Sequence, residues 1–272
     1  MHVNGLHESI ENSIINSDIE RETEKKRLVI SAIIAGIFVM LLGVTFIYDV
    51  FFDLKLYRFG LRPRNPEGLI GIVTAPFIHG DFNHLGSNII PLFILGACMT
   101  FFYRGIAFRV ILWIWLFTGI AVWLFARPST HIGASGIVYG MASFLALSGM
   151  LRNDTRLISV SFLTIFLYGG MVWGVLPLFK HISWESHLAG ALIGLICAVV
   201  YRHEGPPKPV YLSPDDEEEI PDDPEPGTVT VIHNTAQTEN GIVHHTGNLP
   251  VRIIYIIAPS NKEGEQSEKK DG

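Results

Sequence analysis

Six runs of about 20 apolar residues fill most of the first 202 positions, at roughly 28–49, 84–103, 107–126, 133–151, 157–179 and 184–201. No feature constrains the chain more. Hydrocarbon offers no water to an unpaired backbone N–H or C=O, so a run that enters a bilayer closes its own hydrogen bonds as a helix. At 1.5 Å per residue, about 20 residues cross ~30 Å of hydrocarbon. The balance of 49% hydrophobic to 17% charged residues fits that reading, since soluble domains carry about 25% charged residues. The expected fold class is therefore an all-α membrane protein, a bundle of six transmembrane helices.

The flanks of this region differ from it. Residues 1–27 are hydrophilic, and the first apolar run is too long for a signal-peptide core, so they are expected to stay attached as an N-terminal segment. From residue 203 the chain turns acidic and Pro-rich ("HEGPPKPVYLSPDDEEEIPDDPEPG"). Such a composition cannot bury enough apolar surface to order itself, so 203–272 reads as a disordered tail. Two β-branched segments within it, 228–233 and 251–257, suggest at most a small β module across 228–257. Cys98 and Cys197 both lie inside apolar runs, and no disulfide framework is indicated.

Lys and Arg near span ends tend to stay cytoplasmic. With the N-terminus inside, Arg21, Lys25, Lys26, Arg27, Arg104, Arg109, Arg152, Arg156 and Arg202 are inside. Lys55, Arg58, Arg62, Arg64, Arg127 and Lys180 are outside, four of them in the long first loop, 50–83. That loop alternates charge with aromatic, Gly and Pro residues and looks built to fold on the membrane surface. Both termini are thus expected in the cytoplasm of a multi-pass cell-membrane protein. The tail 204–272 carries 14 acidic and 5 basic residues, a net of −9, which leaves the remainder at +3 of the total −6. A mildly basic membrane part suits contact with anionic lipid.

Polar residues inside the spans are functional candidates by default. On this topology the second, fourth and sixth spans all run from outside to inside. His84 and Asn88, Ser135, and His187 lie near the outer starts of those spans, at one depth below one face. A serine is a weak nucleophile until a base takes its proton, and a histidine with a pKa near ~6.5 suits that task. Ser135 and His187 meet within ~3 Å only if their helices approach closely. Gly136 and Gly140 on one, and Gly190 and Gly194 on the other, would permit that. His84 and Asn88, four apart on one helical face, together with the Ser135 backbone N–H, supply donors for an oxyanion.

These residues sit in three ordered motifs: "HGDFNHLGSN" at 79–88, "GASGIVYG" at 133–140 and "HLAGALIG" at 187–194. With the preceding "FGLRPR", the sequence over about 28–202 resembles the rhomboid family of intramembrane serine proteases. The resemblance implies a rhomboid-like bundle in which Ser135 is the nucleophile and His187 the base, a dyad with no acidic third member. It implies an oxyanion hole from His84, Asn88 and the Ser135 amide, with Gly133 keeping the approach open. Tyr139 would pack on the His187 imidazole, and His79 would play a supporting role. Glu185, two residues from His187 along a helix, would face elsewhere. Implied substrates are the transmembrane segments of other membrane proteins, cut near their outer end. They would enter past the fifth span, where Gly169, Gly170 and Gly174 could flex, beneath a cap at 178–185. No cofactor, metal or nucleic-acid partner is expected, and the oligomeric state is left open.

Two other readings compete. One is a catalytically silent rhomboid-fold binder of transmembrane clients, although such proteins typically lack the Ser or the His. The other is a metal or transport site, because His79, His84, His131, His181 and His187 all lie toward the outer face. The chain has no H-E-x-x-H motif, and its spans contain few carboxylates.

Overall fold

The computed structural model describes residues 2–178 and 182–206. The acidic tail beyond residue 206, the two strand-like segments at 228–257, Lys180 and His181 lie outside the described residues. Among those described the chain is helical, with no strand. Its main helices are α1 (His2–Phe52), α3 (Phe82–Phe102), α4 (Ala107–Phe125), α5 (Ser135–Arg152), α6 (Thr155–Tyr168) and α7 (Trp184–Val200). A short helix α2 (Gly71–Thr74) interrupts the first loop.

The helix ends follow local chemistry. The Asp81 carboxylate caps α3 by accepting the His84 N–H at 2.9 Å. Asp154 caps α6 in the same way, accepting from the Arg156 N–H at 2.9 Å. Asn153 ends α5 in the left-handed conformation that Asn tolerates, with φ 50°. Past Tyr168 the fifth span tightens into a 3₁₀ segment, Gly169–Val175, where the sequence suggested one continuous helix. Consecutive glycines weaken an α-helix at that point. At the other end of the chain, α1 continues through the hydrophilic residues back to His2 rather than beginning at the apolar run.

Among the described residues, four spans are long and apolar enough to cross a membrane: 21–52, 82–102, 107–125 and 155–175. With 18 and 17 residues, α5 and α7 are shorter or less apolar than these, because small and polar residues replace large aliphatic ones along them. The bundle encloses one main core, in which Leu42 of α1, Met99 of α3, Val110 and Ile114 of α4 and Phe144 and Leu145 of α5 are fully buried. Large side chains such as Ile37, Phe125, Phe166 and Val200 face outward. Lipid tails are as apolar as leucine, so helices in a bilayer gain little from hiding such groups, and close packing holds them together.

That packing is tightest between α5 and α7. A β-carbon on Gly190 would lie 2.0 Å from the Gly136 carbonyl oxygen, and one on Gly194 would lie 2.1 Å from that of Gly140. The matched steps of four make the two helices parallel, so both begin at the same face of the bundle. The α1 and α3 helices instead run antiparallel, with Phe46 against Phe82 at one end and Gly96 against Ala35 nearer the other.

The first loop folds down onto α4 rather than standing free. Leu61 and His131 exchange backbone hydrogen bonds of 2.9 and 2.8 Å, joining it to the α4–α5 connection. Two indoles of α4 fix it further: Trp115 Nε1 donates to the Ile72 carbonyl at 2.9 Å, and Trp123 Nε1 to that of Asn65 at 3.0 Å. Gly71 permits the closest approach, since a β-carbon there would stand 2.2 Å from Leu61 backbone atoms.

Candidate active site

Ser135 is the first residue of α5, and His187 lies in the first turn of α7. Because the helices are parallel and in backbone contact at Gly136 and Gly190, the two side chains converge. The Ser135 Oγ lies 2.8 Å from His187 Nε2. The other ring nitrogen, Nδ1, lies 2.9 Å from the Gly174 carbonyl oxygen. A carbonyl only accepts, so Nδ1 carries the proton and donates it there. Nε2 is then left bare and accepts from the serine hydroxyl. A backbone carbonyl thus sets the tautomer, a task that sequence spacing could not reveal because any residue type supplies one.

The His187 ring is held from its flat side as well. Tyr139, one turn along α5 from Ser135, stacks on it with centroids 4.1 Å apart and planes 7° from parallel. The Tyr139 hydroxyl donates to the Met171 carbonyl at 2.9 Å, in the same 3₁₀ segment that supplies Gly174. Gly174 fits only as glycine, since a β-carbon there would meet the Tyr139 Oη at 1.9 Å. The flexing expected of this segment is therefore refined at Gly174, which is packed tightly into the site.

His84 reaches the site from α3. A β-carbon on Gly133 would fall 2.4 Å from His84 Nε2, and Gly133 has a φ of +100°, so glycine is required there on both counts. The Gly133 N–H is held by the Ala75 carbonyl at 2.8 Å, which ties the strained turn to the first loop. Ser135 and Gly136 open α5, and their N–H groups precede its intrahelical hydrogen bonding. Asn88 is buried, and its Nδ2 donates one hydrogen to the His84 carbonyl at 2.7 Å, leaving the second for another acceptor. His79 is 3% exposed, stands edge-on to the His84 ring at 5.0 Å, and has neither ring nitrogen hydrogen-bonded among the described residues. Burial and the neighbouring His84 push its pKa down to about 4.

Glu185 does not touch His187. Its carboxylate binds Arg127 across the loops, with Oε1 3.3 Å from Arg127 Nε, and Arg127 also donates to the Ile182 carbonyl at 2.5 Å. His131 is buried beside this pair and bonds Ser183 through Nδ1. Burial lowers its pKa, so it is neutral at pH 7. These loop-to-loop ties went unseen in the sequence, where the partners lie 52 to 58 residues apart. A cavity of about 40 Å³ lies behind Ser135, lined by Thr118, His131, Gly133, Gly136 and Ser186 among others. Among the described residues no three His, Cys, Asp or Glu side chains gather as a metal site would require.

Comparison with known proteins identifies the family. The family model described as the Rhomboid domain matches residues 66–204. An uncharacterised protein of Mycobacterium tuberculosis is 33% identical over 189 residues, covering 65% of this chain and 77% of the relative. One from Mycobacterium leprae is 31% identical over 190 residues, covering 66% and 75%. Rhomboid-like protein 11, chloroplastic, of Arabidopsis thaliana is 29% identical over 182 residues, covering 59% and 63%. A helical multi-pass bundle with this domain over half its length belongs to the rhomboid family.

Proposed function

We propose that this protein is an intramembrane serine protease that hydrolyses peptide bonds in or near the transmembrane segments of other membrane proteins. The observation that carries the reading is the oriented pair: Ser135 Oγ at 2.8 Å from a His187 Nε2 whose opposite nitrogen is held by a carbonyl. In the reaction His187 takes the serine proton as Oγ attacks the scissile carbonyl, and the imidazolium returns it to the leaving amine. Water then attacks the acyl-enzyme with the same base. The oxyanion is met by the Ser135 N–H, His84 and the second Asn88 N–H, placed before charge develops. The cavity lined by Gly136 and Ser186, each the chain neighbour of a dyad residue, carries polar as well as apolar groups and is large enough for water.

The bias of basic residues toward one side supports placing both termini in the cytoplasm and the dyad toward the outer leaflet of the cell membrane. Substrate helices then enter from the lipid and unwind locally, so cuts should favour helix-weakening residues.

A fluorophosphonate probe on the reconstituted full chain tests this, alongside cleavage of a model transmembrane substrate. Wild type should label and cut, and Ser135→Ala and His187→Ala should each reduce cleavage by on the order of 10⁴ or more. Folded wild type that neither labels nor cuts would refute the proposal.

A further inference from the structure

A second polar recess lies between α1, α3 and α4, at the face of the bundle opposite the dyad. It encloses about 240 Å³. Arg27 and Ser31 form one wall, four residues apart on one face of α1, and Thr100 in the last turn of α3 and Arg104 just past its end form the other. Two guanidinium groups line it and no carboxylate does.

Several neighbouring charges are paired, but these two are not. Arg21 pairs with Asp18, Lys25 with Glu22 at 2.8 Å, and Arg109 with Glu204 at 2.7 Å. Neither Arg27 nor Arg104 forms an ion pair among the described residues. Ser31 is 4% exposed, and it lines the recess. Thr100 Oγ1 donates back to the Gly96 carbonyl at 2.8 Å and keeps its lone pairs. Two unpaired guanidinium groups beside two hydroxyls call for an anionic group from outside the protein.

The mouth of the recess identifies what that is. Ile30 and Phe108 flank it and are 53% and 62% exposed, so an apolar surface runs directly from the charged recess toward the hydrocarbon. Arg27 immediately precedes the apolar run of α1, which places the guanidinium groups at headgroup depth. We infer that this recess binds the phosphodiester headgroup of an anionic phospholipid from the leaflet opposite the dyad. Arg27 and Arg104 clamp the phosphate, Ser31 hydrogen-bonds the headgroup, and an acyl chain lies along Ile30 and Phe108. Free phosphate offers the same charge without a group to cover the apolar mouth. Basic pockets between membrane helices recognise anionic headgroups by this combination.

Native mass spectrometry of the detergent-purified full chain tests the site by titration with dioleoylphosphatidylglycerol, dioleoylphosphatidylcholine and glycerol 3-phosphate. One phosphatidylglycerol should be retained in preference to phosphatidylcholine. Arg27→Gln with Arg104→Gln should weaken it by about 30-fold, while Arg109→Gln, at the same face but outside the recess, should leave it within about twofold. Ser31→Leu, which fills the recess and keeps both charges, should weaken phosphatidylglycerol as well, and it provides an independent reading if the double variant unfolds. Undiminished phosphatidylglycerol binding in the double variant or in Ser31→Leu would overturn the site. Equal loss in Arg109→Gln would reduce it to general surface charge, and displacement by equimolar glycerol 3-phosphate would make it a free-phosphate site.

Discussion

Gly190 meets Gly136 backbone to backbone: a β-carbon on the first would stand 2.0 Å from the carbonyl oxygen of the second. This contact, one residue from Ser135 on α5 and three from His187 on α7, sets how far apart the two side chains are. The atoms in the way are backbone, which cannot rotate aside.

Gly190→Ala and Gly194→Ala are therefore expected to push α5 and α7 apart, costing about 1–3 kcal/mol. Cleavage should fall by about 10²-fold even where the protein still folds, because a 1 Å displacement of a reacting pair is that damaging. Gly86→Ala is the control, since nothing lies within 4 Å of its added carbon. Thermal unfolding and substrate cleavage measured on the three variants separate the effects.

Gly174 and Tyr139 together hold the His187 ring. Gly174→Ala should abolish cleavage, because the new methyl displaces the Tyr139 hydroxyl and with it the stack. Tyr139→Phe keeps the ring contact and loses only the bond to the Met171 carbonyl, so stability should drop by about 1 kcal/mol and cleavage by less than tenfold. Tyr139→Leu should do greater damage to kcat than Tyr139→Phe does.

Glu185→Gln should leave cleavage within a few fold of wild type, since its carboxylate faces Arg127 and not His187. Were it the orienting acid of a triad, the loss would be about 10⁴-fold. Stability should respond instead: Arg127→Ala strands the nearly buried Glu185 carboxylate and should cost about 3 kcal/mol. Adding Glu185→Gln to Arg127→Ala should restore part of that loss, which a double-mutant cycle reads directly.

Acid should loosen the junction of the first loop with α3. The pKa of His79 is about 4 in the folded protein, against about 6.5 when unfolded. A folded value below the unfolded one means stability is complete above pH 6.5 and is lost as pH falls from there toward 4. The loss reaches about 3 kcal/mol. His79→Gln should flatten the decline in melting temperature between pH 6.5 and 4, while wild type should show it in full.

What the sequence revealed and what it hid divide along physical lines. Both ends of α3, α4, α5 and α7 and the start of α6 were legible to within about two residues, because long apolar runs broken by Asp81, Asn153 and Asp154 leave little choice. The stacking of Tyr139 on His187 and the close approach at Gly136, Gly140, Gly190 and Gly194 were legible for the same reason that motifs exist, since side-chain type and spacing carry them. The Gly174 carbonyl was hidden because it belongs to no side chain. The ties of Arg127 to Glu185 and His131 to Ser183 were hidden because they join separate loops, and the 3₁₀ turn at 169–175 because an apolar run looks alike in either helical form.

The two helices that carry the dyad are short for a membrane span. With 18 and 17 residues, α5 and α7 measure about 27 and 25 Å, less than the ~30 Å of an average hydrocarbon layer. A bilayer meets such hydrophobic mismatch by thinning around the protein. On the proposed protease reading, the membrane next to Ser135 would be compressed, and a substrate drifting in from thicker lipid would find the end of its own helix lifted toward water as it arrives. Bilayer thickness becomes a control on the reaction: longer-chain lipids should oppose the compression and slow cleavage without touching any residue of the site.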